Sequence, residues 1–160
     1  MVDFNSKFKD DCLQSERIIK KGPGAEVIKE EDKAKNLYQQ LNAASEYYLK
    51  GAKELLDSDV PYLVYIIGFF AVEFKANALL ALHSIKIIEH FCTPLALSKV
   101  LENKELARMY SNVYDLRITY NYRIDYRSLG KGKEDAQNFM DKFVVPFIEK
   151  ANKLIEEKLS

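Results

Sequence analysis

The residues best suited to chemistry crowd into Met109 to Lys133, MYSNVYDLRITYNYRIDYRSLGKGK. There Tyr110, Tyr114, Tyr120, Tyr122 and Tyr126 alternate with Arg117, Arg123, Arg127, Lys131 and Lys133. The planar fork of an arginine matches a phosphate bidentately, and a tyrosine ring offers an unpaired base a stacking face. This composition suits the binding of RNA or a nucleotide, with Arg117, Asn121, Arg123, Asp125, Tyr126 and Arg127 as the candidate contacts. At roughly 100° per residue, Tyr110, Tyr114, Arg117 and Asn121 share one helix face. Arg123 and Tyr126 fall on another, so the set does not make one flat platform while the helix is regular. A second role stays open: Asp125 can pair with Arg123 or Arg127, and amphipathic tyrosines can simply tie a helix end to a loop.

Acid/base chemistry has few other carriers. His83 and His90 are the two imidazoles, and a lone histidine at a helix end more often packs or caps than catalyses, because general acid/base work needs a positioned partner. Glu73, Lys75 and Asn77 are polar residues set in an apolar run. Glu73 and Asn77, four apart, share a helix face, whereas Lys75 points elsewhere. A charge in such surroundings needs a partner, and Arg117 or Arg123 is the natural one for Glu73. Ser-His-Asp, P-loop, dinucleotide-binding and zinc-protease spacings are absent, and SLGKGK is too short for a phosphate loop, so no cofactor is expected.

The element that must position these groups is Val60 to Leu82, VPYLVYIIGFFAVEFKANALLAL. Its apolar run outlasts the roughly 4 to 8 residues of a buried strand and reads as a helix surrounded by protein. Asp57, Ser58 or Asp59 can cap its start, with Pro61 in the first turn. A membrane span is the rival, but Glu73 and Lys75 interrupt the run before the roughly 20 apolar residues that a span needs.

Around it, Asp3 to Lys20 reads as a short amphipathic helix with Phe4, Phe8, Cys12 and Ile19 on one side, ending at Gly22-Pro23-Gly24. Ile28 to Leu56 reads as a long amphipathic helix carrying Leu37, Leu41, Ala44, Tyr48, Ala52 and Leu55 inward. Its Lys35, Gln39, Asn42, Glu46 and Lys53 face is expected to be solvated. A short helix follows from Pro94 to Leu101, then a longer one through Leu106, Met109, Val113 and Arg117. A closing helix spans Glu134 to Leu159, with a bend expected at Pro146. The sum is one all-α domain over 1–160: an N-terminal appendage (1–24), then an antiparallel up-and-down bundle (28–159) of four main helices plus a short extra one.

Composition sets the outer limits. Lys plus Arg balances Asp plus Glu at 24 each, so no global field draws nucleic acid or acidic lipid, and any such binding is local. Cys12 and Cys92 lack CxxC spacing and, with only two histidines, offer no zinc ligand set. They read as buried free thiols of a reducing cytoplasm, and the charged MVDFNSKFKDD stretch does not read as a secretion signal.

Taken together, the chain resembles the HEPN (higher eukaryotes and prokaryotes nucleotide-binding) family, in its small archaeal and bacterial branch. The resemblance rests on Phe8, Cys12 and Pro23, on the Ala43 to Leu56 helix, and on Phe69, Phe70, Ala71 and Ala78-Leu79-Leu80. His90 in the connector and Arg123, Asp125 and Tyr126 in NYRIDY complete it. It implies a four- or five-helix bundle that forms a homodimer, often paired with a minimal nucleotidyltransferase in a toxin–antitoxin module. Nuclease members use an arginine followed four to six residues later by a histidine. Here neither Arg117 nor Arg123 has a downstream histidine, and which of them is the family-equivalent arginine stays open. Three functions follow from the resemblance: a module binding RNA or a nucleotide, a metal-independent endoribonuclease with Arg117, Arg123 and His90 as candidate catalytic groups, and a non-catalytic protein-interaction scaffold.

Overall fold

The computed structural model describes Phe8, Cys12, Leu13, residues 23–122 and residues 132–160, the side chains of Asn121 and Tyr122 apart. Most of the expected Asp3 to Lys20 helix, together with Arg123, Asp125, Tyr126, Arg127 and Lys131, lies outside the described residues. Among those described, the order is β1 (Ala25–Val27), α1 (Glu31–Leu55), a 3-10 turn (Pro61–Leu63), α2 (Val64–Leu82), β2 (Ile85–Ile87), α3 (Cys92–Lys99), α4 (Lys104–Tyr122) and α5 (Gly132–Phe139). A π-helical turn (Met140–Val144) then leads into α6 (Val145–Leu159). The fold is an all-α bundle with one very small sheet.

The apolar run of α2 becomes the axis of the bundle because no face of it is polar enough to meet water. At its start Ser58 bridges the chain, its Oγ donating to Leu55 O (2.8 Å) and accepting from Val60 N (3.1 Å), and Pro61 opens the first turn. Helix Pro61–Leu82 is long and apolar enough to cross a membrane, yet most of it is covered by the rest of the chain. Along α1 the contacts run in opposite order to those of α2. Asn42 meets Lys75, Ser45 Oγ donates to Ala71 O (2.7 Å), and Tyr48 lies against Phe70 with ring centroids 5.4 Å apart. On the other side Tyr65 faces Tyr120, Phe69 faces Tyr114, and Glu73 faces Tyr110, which makes α4 antiparallel to α2 as well. Gly68 lets α5 and the π turn approach: a Cβ there would stand 3.0 Å from the Phe139 ring and 3.2 Å from Val144. The irregularity expected at Pro146 appears as the π turn just before it, where the missing backbone donor falls in the first turn of α6.

Three expectations are corrected. The long first helix starts at Glu31 and not at Ile28, because Ala25–Val27 pairs antiparallel with Ile85–Ile87 in the register Ala25↔Ile87, Glu26↔Lys86 and Val27↔Ile85. Cys12 and Cys92 are not free thiols but form a disulfide across 80 residues of sequence. Both are fully buried, and the ladder sets Gly24 against the bridge: Gly24 O accepts from Ile88 N and Glu89 N, and a Cβ on Gly24 would lie 2.7 Å from Cys92 Sγ. Third, Asn42 is not on a simply solvated face, for its Oδ1 accepts from the Nζ of buried Lys75 at 2.5 Å.

Candidate functional site

Glu73 lies in the middle of α2 with its side chain 6% exposed, and three donors converge on it. Asn77, one turn on, donates from Nδ2 to Oε1 at 3.0 Å, as the four-residue spacing predicts. His90 reaches the same oxygen through Nδ1 at 3.0 Å, and the Tyr110 hydroxyl donates to Oε2. Thr93 Oγ1 in turn donates to Asn77 Oδ1 at 3.4 Å. Three elements therefore meet at one carboxyl group: α2, the connector before α3, and α4.

The expected partner of Glu73 was an arginine, and Arg117 is not it. With α4 antiparallel to α2, Tyr110 falls opposite Glu73, so Arg117, seven residues further along α4, falls about two turns away, opposite Phe69. Its guanidinium carbon sits 4.5 Å above the Phe69 ring centroid and 5.3 Å from that of Tyr114, as a cation–π sandwich would place it. Its Nε is buried and has no hydrogen-bond partner among the described residues. Ring faces hold this arginine, and with Nε buried it is the Nη end of the fork that an incoming anion would use.

His90 stands between these two groups, its ring centroid 6.0 Å from that of Phe69. The hydrogen bond to Glu73 holds its imidazole above the ordinary histidine value. The charge of Glu73 acts in the same direction, while burial and the nearby Arg117 guanidinium act against it. With Nδ1 on Glu73 and the side chain 56% exposed, the outer edge of the ring meets solvent. Burial, and then the charge of Glu73, push the Tyr110 hydroxyl far up, so it remains a proton donor at any ordinary pH. His83, by contrast, sits at the end of α2, and burial, aided by Lys158, lowers its value. It belongs to another part of the surface.

No family model matches the chain, and no curated protein and no solved structure matches it either. The site is therefore read from its own geometry.

That geometry includes a cleft of about 230 Å³ beside the network. Its connector side is His90, Phe91 and Pro94, and its α4 side is Tyr110, Ser111, Tyr114 and Asp115. Of the residues singled out in the sequence, Glu73, Asn77, His90, Tyr110, Tyr114 and Arg117 come together here. Lys75 does not: it points to the α1 side, where burial lowers its value. Arg123, Asp125, Tyr126 and Arg127, and the side chain of Asn121, lie outside the described residues. Thr93, Ser111 and Asp115 were missed. Nothing local marks Thr93, but Ser111 and Asp115 are one turn apart on a helix already known to carry Tyr114.

Proposed function

We propose that this is a HEPN-like helical protein that binds RNA or a nucleotide at the cleft lined by His90 and Tyr114, with Arg117 behind the Tyr114 ring. Its setting in this proposal is cytoplasmic, as a homodimer within a toxin–antitoxin or related regulatory pair with a minimal nucleotidyltransferase. The observation that carries the binding reading is the placement of an arginine with an unpartnered Nε beside an imidazole whose hydrogen bond favours its protonated form. Two cationic donors next to aromatic faces suit a phosphate attached to a base. Disulfides are rare in a reducing cytoplasm, so the cytoplasmic setting rests on the family resemblance and not on Cys12 and Cys92.

One observation favours a second reading, metal-independent phosphodiester cleavage. The expected arginine-then-histidine spacing is absent, yet His90 reaches the neighbourhood of Arg117 from the connector, and Glu73 orients it as a carboxylate orients a catalytic imidazole. In its neutral form His90 would take the proton of a 2′-hydroxyl. The 2′-oxygen would attack phosphorus, the bond to the 5′-oxygen would break, and that oxygen would leave protonated. The products are a 2′,3′-cyclic phosphate and a 5′-hydroxyl, so neither water nor metal is consumed.

Labelled single-stranded RNA mixed with the protein in EDTA, and run on native and denaturing gels, separates the readings. A native shift lost in Arg117→Met, which keeps the aliphatic stem over Phe69, supports binding. Shortened RNA that disappears in His90→Ala supports cleavage. Intact, unshifted RNA overturns both and leaves the scaffold reading.

A further inference from the structure

The cleft beside His90 has a polarity that phosphate binding does not use. Asp115 is exposed at its edge and has no hydrogen-bond or ion-pair partner among the described residues. Half-buried Ser111 stands one turn before it on α4. Phe91, Pro94 and Tyr114 give the same cleft apolar walls. A free carboxylate at the rim of an anion site is out of place unless the ligand also brings donors. The cleft, at about 230 Å³, is smaller than the roughly 300–1,000 Å³ of drug-sized pockets and suits one ring system.

We propose that this cleft is a base-recognition subsite and that Asp115 selects guanine; the inference rests on the phosphate-binding reading above. An ionised carboxylate only accepts hydrogen bonds. Among the four RNA bases, guanine alone presents two adjacent donors, N1–H and N2–H, on its Watson–Crick edge. Adenine and cytosine each set an amino donor beside a ring acceptor, and uracil flanks its single imino donor with two carbonyl acceptors. Two parallel hydrogen bonds to one carboxylate are thus open to guanine and closed to the others. The Ser111 hydroxyl, able to donate or accept, meets the guanine O6 carbonyl or ring edge. Tyr114 links the two halves of the site, because its ring both lines the cleft and lies 5.3 Å from the Arg117 guanidinium carbon. A base stacked there leaves its phosphate on the side of Arg117 and His90.

The test is calorimetric titration of the full chain with the four nucleoside 3′-monophosphates, repeated on Asp115→Asn and Asp115→Ala. The guanosine nucleotide is expected to bind at least about tenfold more tightly than the other three, the scale of one good bidentate contact. Both variants are expected to lose that preference, at unchanged melting temperature, while retaining weak binding common to all four. Equal affinity for the four nucleotides in the parent protein would overturn guanine selection and leave the phosphate site standing. A guanine preference that survives in Asp115→Asn would overturn the role of Asp115. Absence of binding by every nucleotide, with RNA unshifted on the native gel, would overturn the phosphate-binding reading and this inference with it.

Discussion

Glu73 and Lys75 are two buried charges two residues apart on the same helix, and the bundle treats them differently. Glu73 receives three donors from three elements and opens toward a cleft through His90. Lys75 is closed under α1 with one acceptor, Asn42 Oδ1, which Glu46 backs through the Asn42 amide (3.0 Å). Both satisfy the rule that a buried charge needs partners. What separates them is access: the direct partner of Glu73 is an exposed imidazole that lines a cleft, whereas Lys75 reaches the exposed Glu46 only through a half-buried amide. A buried charge in an apolar helix therefore marks a site only when a partner of that charge reaches solvent.

Substitutions in the two networks, and in the disulfide beside one of them, are expected to have unequal effects. The largest effect is expected from Cys12→Ser with Cys92→Ser, because the disulfide closes a long loop and also anchors the connector that carries His90. A loss of about 3–4 kcal/mol in chemical denaturation is expected. In the reduced protein the His90 titration should move toward an ordinary value while the Lys75 side of α2 keeps its hydrogen-exchange protection. Glu73→Ala comes next, at about 2–3 kcal/mol, since it leaves the buried Tyr110 hydroxyl and the Asn77 amide without their acceptor. Lys75→Met should stay within about 1 kcal/mol of the parent or be more stable, because an apolar chain of similar length removes the cost of burying an ammonium. An equal loss in Glu73→Ala and Lys75→Met would erase the distinction between the two networks.

The smallest effect is on pH dependence. The folded value of His90 is raised above its unfolded value. Its contact with Glu73 therefore adds stability that is fully present below about pH 6.5, the unfolded value, and is lost as pH rises through the raised folded value. Thermal melts across that window should show this slope in the parent protein and a flatter profile in Glu73→Gln.

The helices were legible because their apolar residues recur at helical spacing, and the central one because it is apolar on every side. The Glu73 and Asn77 contact was also legible, being local to one helix face. The sheet was not: three-residue strands 58 residues apart carry no periodicity, and their pairing is decided by where α2 delivers the chain. The disulfide was hidden for the same reason, since the ladder that brings Gly24 against Cys92 is itself non-local. Of the two arginines expected beside Glu73, Arg117 is displaced by register, and Arg123 lies outside the described residues. An arginine is the stronger partner in principle, but the antiparallel alignment of α4 puts a tyrosine at that level. Asn42 was read as solvated because its own helix gives no hint of the lysine beneath it.

The most direct measurement uses the fact that His83 and His90 are the only histidines in the chain. Imidazole NMR resonances would be followed first through a pH titration and then through addition of single-stranded RNA. His90 is expected to titrate above the ordinary histidine value and His83 below it, and RNA is expected to shift His90 saturably while leaving His83 in place. Two histidines that titrate alike, or an His90 signal that RNA does not move, would contradict that expectation.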